Sequence, residues 1–177
     1  MKAERILVPL DGSPLAERAL PTALELLSDE PRATLILLRT AEATTAAGID
    51  RIDAQGAAVL EAQSYLAAVA ERLRDQGIAR VVRSVWCSSA ANAIVEAARV
   101  RCVNLIVMAT HGGNGRRESR GSVADSVLRR ARIPIVLVSA SGAVELGARD
   151  DTGASERGRR AAHLMSSARP FDPARSQ

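Results

Sequence analysis

The chain has 177 residues, of which 47% are hydrophobic, so it is long enough for one domain and too apolar to be disordered throughout. Its three aromatic residues and two cysteines are too few for a stacking platform on single-stranded nucleic acid, a disulfide scaffold or a zinc site. The small net charge of +4, with no apolar run of about 18–20 residues and no signal-peptide core, predicts a cytoplasmic protein that binds neither nucleic acid nor membrane.

Five short runs rich in Val, Ile and Leu predict β-strands. Most of them are apolar throughout rather than alternating, which is typical of strands covered on both faces of a parallel sheet. The third run alternates more, which places it nearer an edge of the sheet. The predicted strands are Arg5–Pro9, Thr34–Arg39, Ala79–Val85, Asn104–Ala109 and Ile135–Ser139.

Four predicted helices separate the strands. Ser13 followed by Pro14 is a favourable helix start, and we expect this first helix to continue to about Leu27. A longer helix is predicted from about Arg51 to Gln76. The third begins at Ser88 or Ser89, and the fourth begins at Gly121 or Ser122. This strict alternation of strands and helices predicts a doubly wound α/β sandwich.

The alternating pattern ends near residue 140, so we predict one domain over residues 1–140. Gly, Ser, Arg and Asp dominate residues 141–177, a composition that predicts a flexible C-terminal tail. The alternative is a short helix over residues 159–167 that docks on a partner, although Leu164 and Met165 are its only strongly apolar residues.

The loop after the first strand carries a candidate binding residue. In open α/β sheets, ligands bind beyond the carboxyl ends of the strands, where the strand order reverses. Asp11 follows the first strand, and its carboxylate can accept hydrogen bonds from a ribose diol or hold a metal through phosphates. The alternative interpretation is a local turn that Asp11 forms with Gly12 and Ser13.

The loop after the fourth strand has four glycines within twelve residues and leads into a helix that begins near Ser122. Glycines and a helix N-terminus together favour a phosphate cradle, whereas the alternative is a surface loop whose glycines only turn the chain. Six arginines against Glu118 and Asp125 give residues 115–139 a net charge of +4, equal to the excess of the whole chain. This local charge favours a small anion over a polymer.

Three stretches taken together resemble the universal stress protein family: Ile6–Ser13, Leu105–Gly112, and Gly121–Leu128 followed by Pro134–Val138. The resemblance covers residues 1–140 and leaves the tail unexplained. It implies a five-stranded parallel sheet of order 3-2-1-4-5 in a three-layer α/β/α sandwich. In that order the first and fourth strands are neighbours, which brings Asp11 and the glycine loop to one crevice.

The resemblance also implies an ATP-binding regulatory module in the stress response, with Mg²⁺ held through the bound ATP at Asp11. No catalytic base is evident, so we expect at most slow ATP hydrolysis. A second hypothesis is a nucleotide-free dimeric interaction module with a degenerate phosphate loop. A third, a nucleotidyl-transferring enzyme, rests on fold analogy alone. The nucleotide-binding positions that the resemblance implies are Pro9, Asp11, Thr40, Met108, Ala109, Gly112, Gly121, Ser122 and Val123.

The glycine loop departs from the family pattern at two points. Ala109 stands where the family usually has its first glycine, and eight rather than nine residues separate Gly112 from Gly121. The last strand, Ile135–Ser139, would lie at an edge of the sheet, and an apolar edge invites pairing with another chain. Family members often form homodimers through this strand, so we expect a homodimer here.

Overall fold

A computed structural model describes residues 2–42, 50–110 and 122–147. Within these residues, strands and helices alternate along the chain as the sequence predicts. In chain order they are β1 (Arg5–Pro9), α1 (Pro14–Glu17), α2 (Ala19–Leu26), β2 (Thr34–Thr40), α3 (Arg51–Asp75), β3 (Val81–Trp86), α4 (Ala90–Val100), β4 (Leu105–Thr110), α5 (Ser122–Arg130), β5 (Ile135–Ser139) and β6 (Val144–Gly147).

The six strands form one sheet in the order β3-β2-β1-β4-β5-β6. β1 to β5 are parallel, with β1 between β2 and β4; the register pairs Leu7 with Ile36 on one side and with Ile106 on the other. The predicted fold class and the strand order 3-2-1-4-5 are therefore confirmed. Each predicted strand lies within two residues of its observed bounds.

Helices cover both faces of the sheet, which explains why the strands are apolar throughout. Val8 faces a core cluster that α2 and α3 supply, whereas its neighbour Leu7 faces a second cluster that α4 and α5 supply. Both side chains are fully buried. Successive residues of a strand point to opposite faces, so only a sheet covered twice buries both.

The first helical segment differs from the single helix predicted to Leu27, because it consists of α1 and α2, which Arg18 separates. Pro21 has no N–H to bond the carbonyl oxygen of Glu17, and its ring crowds that oxygen, so the helix breaks there. The predicted start is confirmed. Ser13 is the N-cap of α1, and its hydroxyl accepts a hydrogen bond from the N–H of Ala16 at 3.1 Å.

β6 is the one described strand that the sequence analysis does not predict. It runs antiparallel to β5, after a turn in which the Ser139 N–H donates to the carbonyl oxygen of Ala143 at 2.8 Å. β5 is therefore not an edge strand. The predicted dimerisation through Ile135–Ser139 assumed that this strand lies at an edge of the sheet. The homodimer stays a prediction. The sheet extends to Gly147, beyond the predicted boundary at residue 140, and the rest of the predicted tail lies outside the described residues.

α3 is the longest described helix, with 25 residues. It begins at the predicted position because the Asp50 carboxylate accepts a hydrogen bond from the N–H of Ile52 at 3.1 Å. In the described ranges, no helix has both the length and the apolar character needed to span a membrane.

Candidate functional site

A crevice of about 230 Å³ lies at the carboxyl ends of β1, β2 and β4, where the first turns of α1, α4 and α5 converge. The strand order reverses at this place, because β1 leads to β2 on one side while β4 lies on the other. Open α/β sheets bind their ligands at such a point. Six of the predicted nucleotide-binding residues line the crevice: Pro9, Asp11, Thr40, Met108, Ala109 and Val123.

The walls of the crevice are mostly apolar. Leu10, Leu38, Ile94 and Met108 line it, and each side chain is almost fully buried in the fold. Polar side chains stand at the strand ends and at the start of α1, among them Asp11, Thr40, Ser13 and Thr110. Apolar walls with a few convergent polar groups are typical of a small-molecule site, in which the walls bury a flat ring and the polar groups orient it.

The Asp11 turn is held in place by local hydrogen bonds. The Asp11 carboxylate oxygen Oδ1 accepts a hydrogen bond from the N–H of Ser13 at 2.8 Å. Gly12 between them has φ +89°, a left-handed conformation that suits glycine. Because the Ser13 hydroxyl caps α1, its oxygen is already engaged with the backbone. The turn therefore presents an oriented carboxylate at the rim of the crevice.

Arg39 packs against the same turn on the side that faces α3. Its guanidinium donates to Glu61 Oε1 at 2.9 Å and lies 4.6 Å from the centre of the Tyr65 ring, with only 14% of the side chain exposed. A Cβ added to Gly12 would lie 3.2 Å from each terminal nitrogen of Arg39. The guanidinium is thus fixed between α3 and the turn, and it packs directly against the backbone of Gly12.

Tyr65 links Arg39 to a second charged pair. Its hydroxyl donates to Glu17 Oε1 at 2.9 Å, and Glu17 also accepts from Arg72 at 2.6 Å. Burial of the phenol raises the pKa of Tyr65 well above its usual range, and the hydrogen bond to the Glu17 carboxylate raises it further. Tyr65 therefore stays a neutral hydrogen-bond donor and connects α1 to α3 beneath the Asp11 turn.

Thr110 ends β4 on the opposite side of the crevice from Thr40, since β1 lies between β2 and β4. It is 8% exposed, and in the part of the chain that the structure describes its hydroxyl is the buried side-chain polar atom that has no hydrogen-bond partner. Native proteins satisfy nearly all such groups, so each exception calls for a reason.

The phosphate side of the predicted site is only partly described. Gly112 and Gly121 lie outside the described residues, and Ser122 is the first residue of α5. Two arginines of the basic segment, Arg129 and Arg130, occupy the last turn of α5 and bond Asp125 and Asn92. The crevice is lined by the first turn of α5, so these two arginines lie at the other end of the helix, whereas Arg116, Arg117 and Arg120 lie outside the described residues; that the local charge favours a small anion stays a prediction.

The sequence analysis does not assign to the crevice the α1 residues Leu15 and Ala16, the α4 residues Ala90 and Ile94, or Leu38, and it includes Thr110 only within the stretch Leu105–Gly112. The helix start near Ser88 or Ser89 is itself predicted. Because a helix that follows a strand begins at the carboxyl edge of a parallel sheet, its first turn could have been assigned to the crevice. The burial of Thr110 has no comparable signal, since a threonine at a strand end reads as an ordinary polar residue.

The described residues hold no group of three or more His, Cys, Asp and Glu side chains able to enclose a metal ion. At the described rim of the crevice, Asp11 is the carboxylate that could reach a metal. Mg²⁺ commonly binds through one or two carboxylates together with substrate phosphates. A magnesium ion here would therefore depend on a bound polyphosphate.

Residues 2–139 match the model of the universal stress protein family. The match spans well over half of the chain. The chain belongs to the universal stress protein family. No curated protein sequence matches the chain.

Solved structures of the family share the fold. A family member from Burkholderia pseudomallei is 29% identical, with a TM-score of 0.61 over 77% of this chain and 96% of its own. A universal stress protein solved in complex with cAMP is 20% identical, with a TM-score of 0.60 over 78% and 98% of the two chains. A family protein from Arabidopsis thaliana with AMP bound is 14% identical, with a TM-score of 0.53 over 76% and 90%.

Proposed function

We propose that this chain is a cytoplasmic regulatory module that binds an adenine nucleotide in the crevice between β1 and β4. The observation that carries the proposal is the convergence of six predicted residues on one mostly apolar crevice at the switch point of the sheet. Two relatives of the same fold were solved with cAMP and with AMP, which supports an adenine nucleotide as the ligand class.

The crevice offers each part of a nucleotide a suitable partner. Leu38 and Met108 supply apolar surface for the adenine ring, and Thr40 lies at the β2 side of the same floor. The Asp11 carboxylate, oriented by its bond from the Ser13 N–H, is an acceptor for the ribose hydroxyls. The first turn of α5 directs backbone N–H groups and the positive end of the helix dipole toward a phosphate.

ATP with Mg²⁺ is the particular ligand that we propose within this class. Asp11 would hold the ion through the phosphates, and the ion would neutralise their charge. Within this proposal the chain senses the nucleotide, and we expect hydrolysis to be slow at most.

Calorimetric titration with AMP, cAMP and ATP, each with and without Mg²⁺, tests the proposal. We expect saturable binding of at least one of these nucleotides, and tighter ATP binding when Mg²⁺ is present. Absence of heat with all three at millimolar concentration would refute nucleotide binding. That result would favour the second hypothesis, a nucleotide-free interaction module.

A matched pair of variants tests the role of Asp11. Asp11→Asn keeps an oxygen for the Ser13 N–H but removes the charge, and we expect AMP affinity to fall by roughly ten-fold because one charged acceptor is lost. Asp29→Asn removes the same charge from a side chain that is 98% exposed and pairs with Lys2 across 3.9 Å. Equal AMP affinity in the two variants would exclude a contact from Asp11 to the ligand.

A further inference from the structure

The first three turns of α3 project beyond the hydrophobic core. Every buried residue of α3 lies at Ala62 or later, so residues 51–61 pack no buried side chain against the sheet. We call residues 50–61, which include the N-cap of the helix, the projecting segment. It carries Ile52 and Leu60, whose side chains are 77% and 65% exposed. Two large apolar side chains that cover no core favour a contact with another molecule.

The projecting segment is also acidic. Asp50, Asp53 and Glu61 are exposed on it. Arg51 is its one basic residue, so residues 50–61 carry a net charge of −2. Because α3 follows β2 along the chain, its first turns lie at the carboxyl edge of the sheet.

The C-terminal ends of α4 and α5 form an exposed surface of the opposite charge. Val100, the last residue of α4, is 56% exposed, and the exposed Arg101 follows it. The exposed Arg132 follows the end of α5. Arg5 at the start of β1 donates to the carbonyl oxygen of Arg101 at 2.9 Å, which places this surface at the amino edge of the sheet. We call Val100, Arg101 and Arg132 the basic corner.

The positive charge of the basic corner is not balanced within its own helices. Each acidic residue of α4 and α5 already pairs with an arginine of the same helix: Glu96 with Arg99, and Asp125 with Arg129. Neither helix therefore offers Arg101 or Arg132 a further carboxylate. An acidic surface with exposed apolar side chains complements this corner in charge and in apolar area, and the projecting segment has that chemistry.

We propose that the projecting segment of one copy docks on the basic corner of a second copy of this chain. The charge complementarity of two surfaces within one chain identifies a second copy as the occupant. α3 and α4 cover opposite faces of the sheet, so the two surfaces point away from each other. The contact is therefore heterologous, and copies associate head to tail, each leaving one surface free for the next. This inference is independent of nucleotide binding.

Sedimentation velocity of the full chain over a range of concentrations tests the proposal. We expect the weight-average sedimentation coefficient to rise with concentration at about 0.1 M salt. The rise should be lost at about 1 M salt, because the Debye length falls from about 10 Å to about 3 Å.

Two charge reversals identify the surfaces. Arg101→Glu and Asp53→Arg should each abolish the rise when the variant is measured alone, because like charges then meet across the contact. An equimolar mixture of the two variants should recover it. In the mixture the unmodified surfaces still match, and the two reversed surfaces match each other. Recovery also separates a lost contact from lost folding, because an unfolded variant cannot be rescued by its partner.

Arg74→Glu is the matched control, because it reverses the charge of an exposed arginine in the last turn of α3, away from both surfaces. It should leave the rise unchanged. Three results would each overturn the proposal: an unmodified chain whose sedimentation coefficient does not rise at low salt, a surface variant that associates as the unmodified chain does, or a mixture that does not recover association. Nucleotide affinity, measured separately by calorimetry, should be the same in Arg101→Glu and in the unmodified chain.

Discussion

From the contact between Gly12 and Arg39 we predict how much a substitution in the Asp11 turn lowers the free energy of unfolding. Gly12→Ala places a Cβ at φ +89° and 3.2 Å from two guanidinium nitrogens. The left-handed conformation costs a non-glycine residue about 1–2 kcal/mol, of which the more restricted unfolded chain returns about 0.4–1 kcal/mol. The net strain is therefore about 1 kcal/mol before any contact with Arg39 is counted.

Relief of that contact requires the guanidinium to move, and the guanidinium is held on two sides. A shift of a few tenths of an ångström clears the Cβ, so only part is lost of the interaction with the Tyr65 ring, worth about 0.5–1 kcal/mol, and of the pair with the exposed Glu61, worth at most about 1 kcal/mol. We therefore expect Gly12→Ala to lower the free energy of unfolding by about 1.5–2.5 kcal/mol. In a domain of this size the melting temperature should fall by about 3–10 °C.

Gly77→Ala is a closely matched control, because Gly77 has φ +88° and a Cβ there would meet no atom within 4 Å. It should cost only the net strain of about 1 kcal/mol. Urea denaturation of both variants measures the difference, and Gly12→Ala in an Arg39→Ala background should cost no more than Gly77→Ala. Equal unfolding free energies for Gly12→Ala and Gly77→Ala in the unmodified background would refute the argument.

Three further predictions follow from the fold. The pKa of Tyr65 is raised, so the unfolding free energy should fall as pH rises above about 10, where the unfolded chain releases a proton that the folded chain keeps; Tyr65→Phe should remove this slope in pH-dependent denaturation. Leu7→Ala should cost about 2–5 kcal/mol in urea denaturation, whereas Leu60→Ala, at a side chain that is 65% exposed, should stay within about 0.5 kcal/mol. A chain ending at Ser139 should self-associate more than one ending at Gly147 in sedimentation experiments, because it exposes the edge of β5; identical sedimentation would contradict this.

The strands could be predicted because their apolar runs are continuous, and a strand such as β4 has no other plausible state. Periodicity does not determine the order of the strands in the sheet. The predicted order rests on the family resemblance. β6 escapes prediction for a physical reason. Val144–Gly147 is only four residues long and alternates weakly, so its pairing depends on the turn at Gly142 and on the free edge of β5 rather than on its own pattern.

Some features of the candidate site could likewise be predicted from the sequence, and others could not. Asp11 and Thr40 follow predicted strands, so a parallel sheet places both at its carboxyl edge, and the strand order that the family resemblance implies makes their strands neighbours. The support that Arg39 gives to Gly12 depends on side-chain packing between α3 and the turn, which sequence spacing does not encode. The charge of the basic segment is not concentrated at one place, because residues close in sequence can lie at opposite ends of a helix. α5 extends over nine residues, which carries Arg129 and Arg130 to the end opposite the crevice.

The β1 side of the crevice is ordered by contacts within the chain. The bond from the Ser13 N–H to Asp11 and the packing of Arg39 against Gly12 hold the turn, and a turn that is already held lowers the ordering cost of binding the proposed nucleotide. Gly12→Ala should therefore lower stability and AMP affinity together, because it disturbs this turn. Asp11→Asn keeps the oxygen that accepts from the Ser13 N–H, so it should lower AMP affinity while stability holds, and the two variants separate preparation of the site from contact with the ligand.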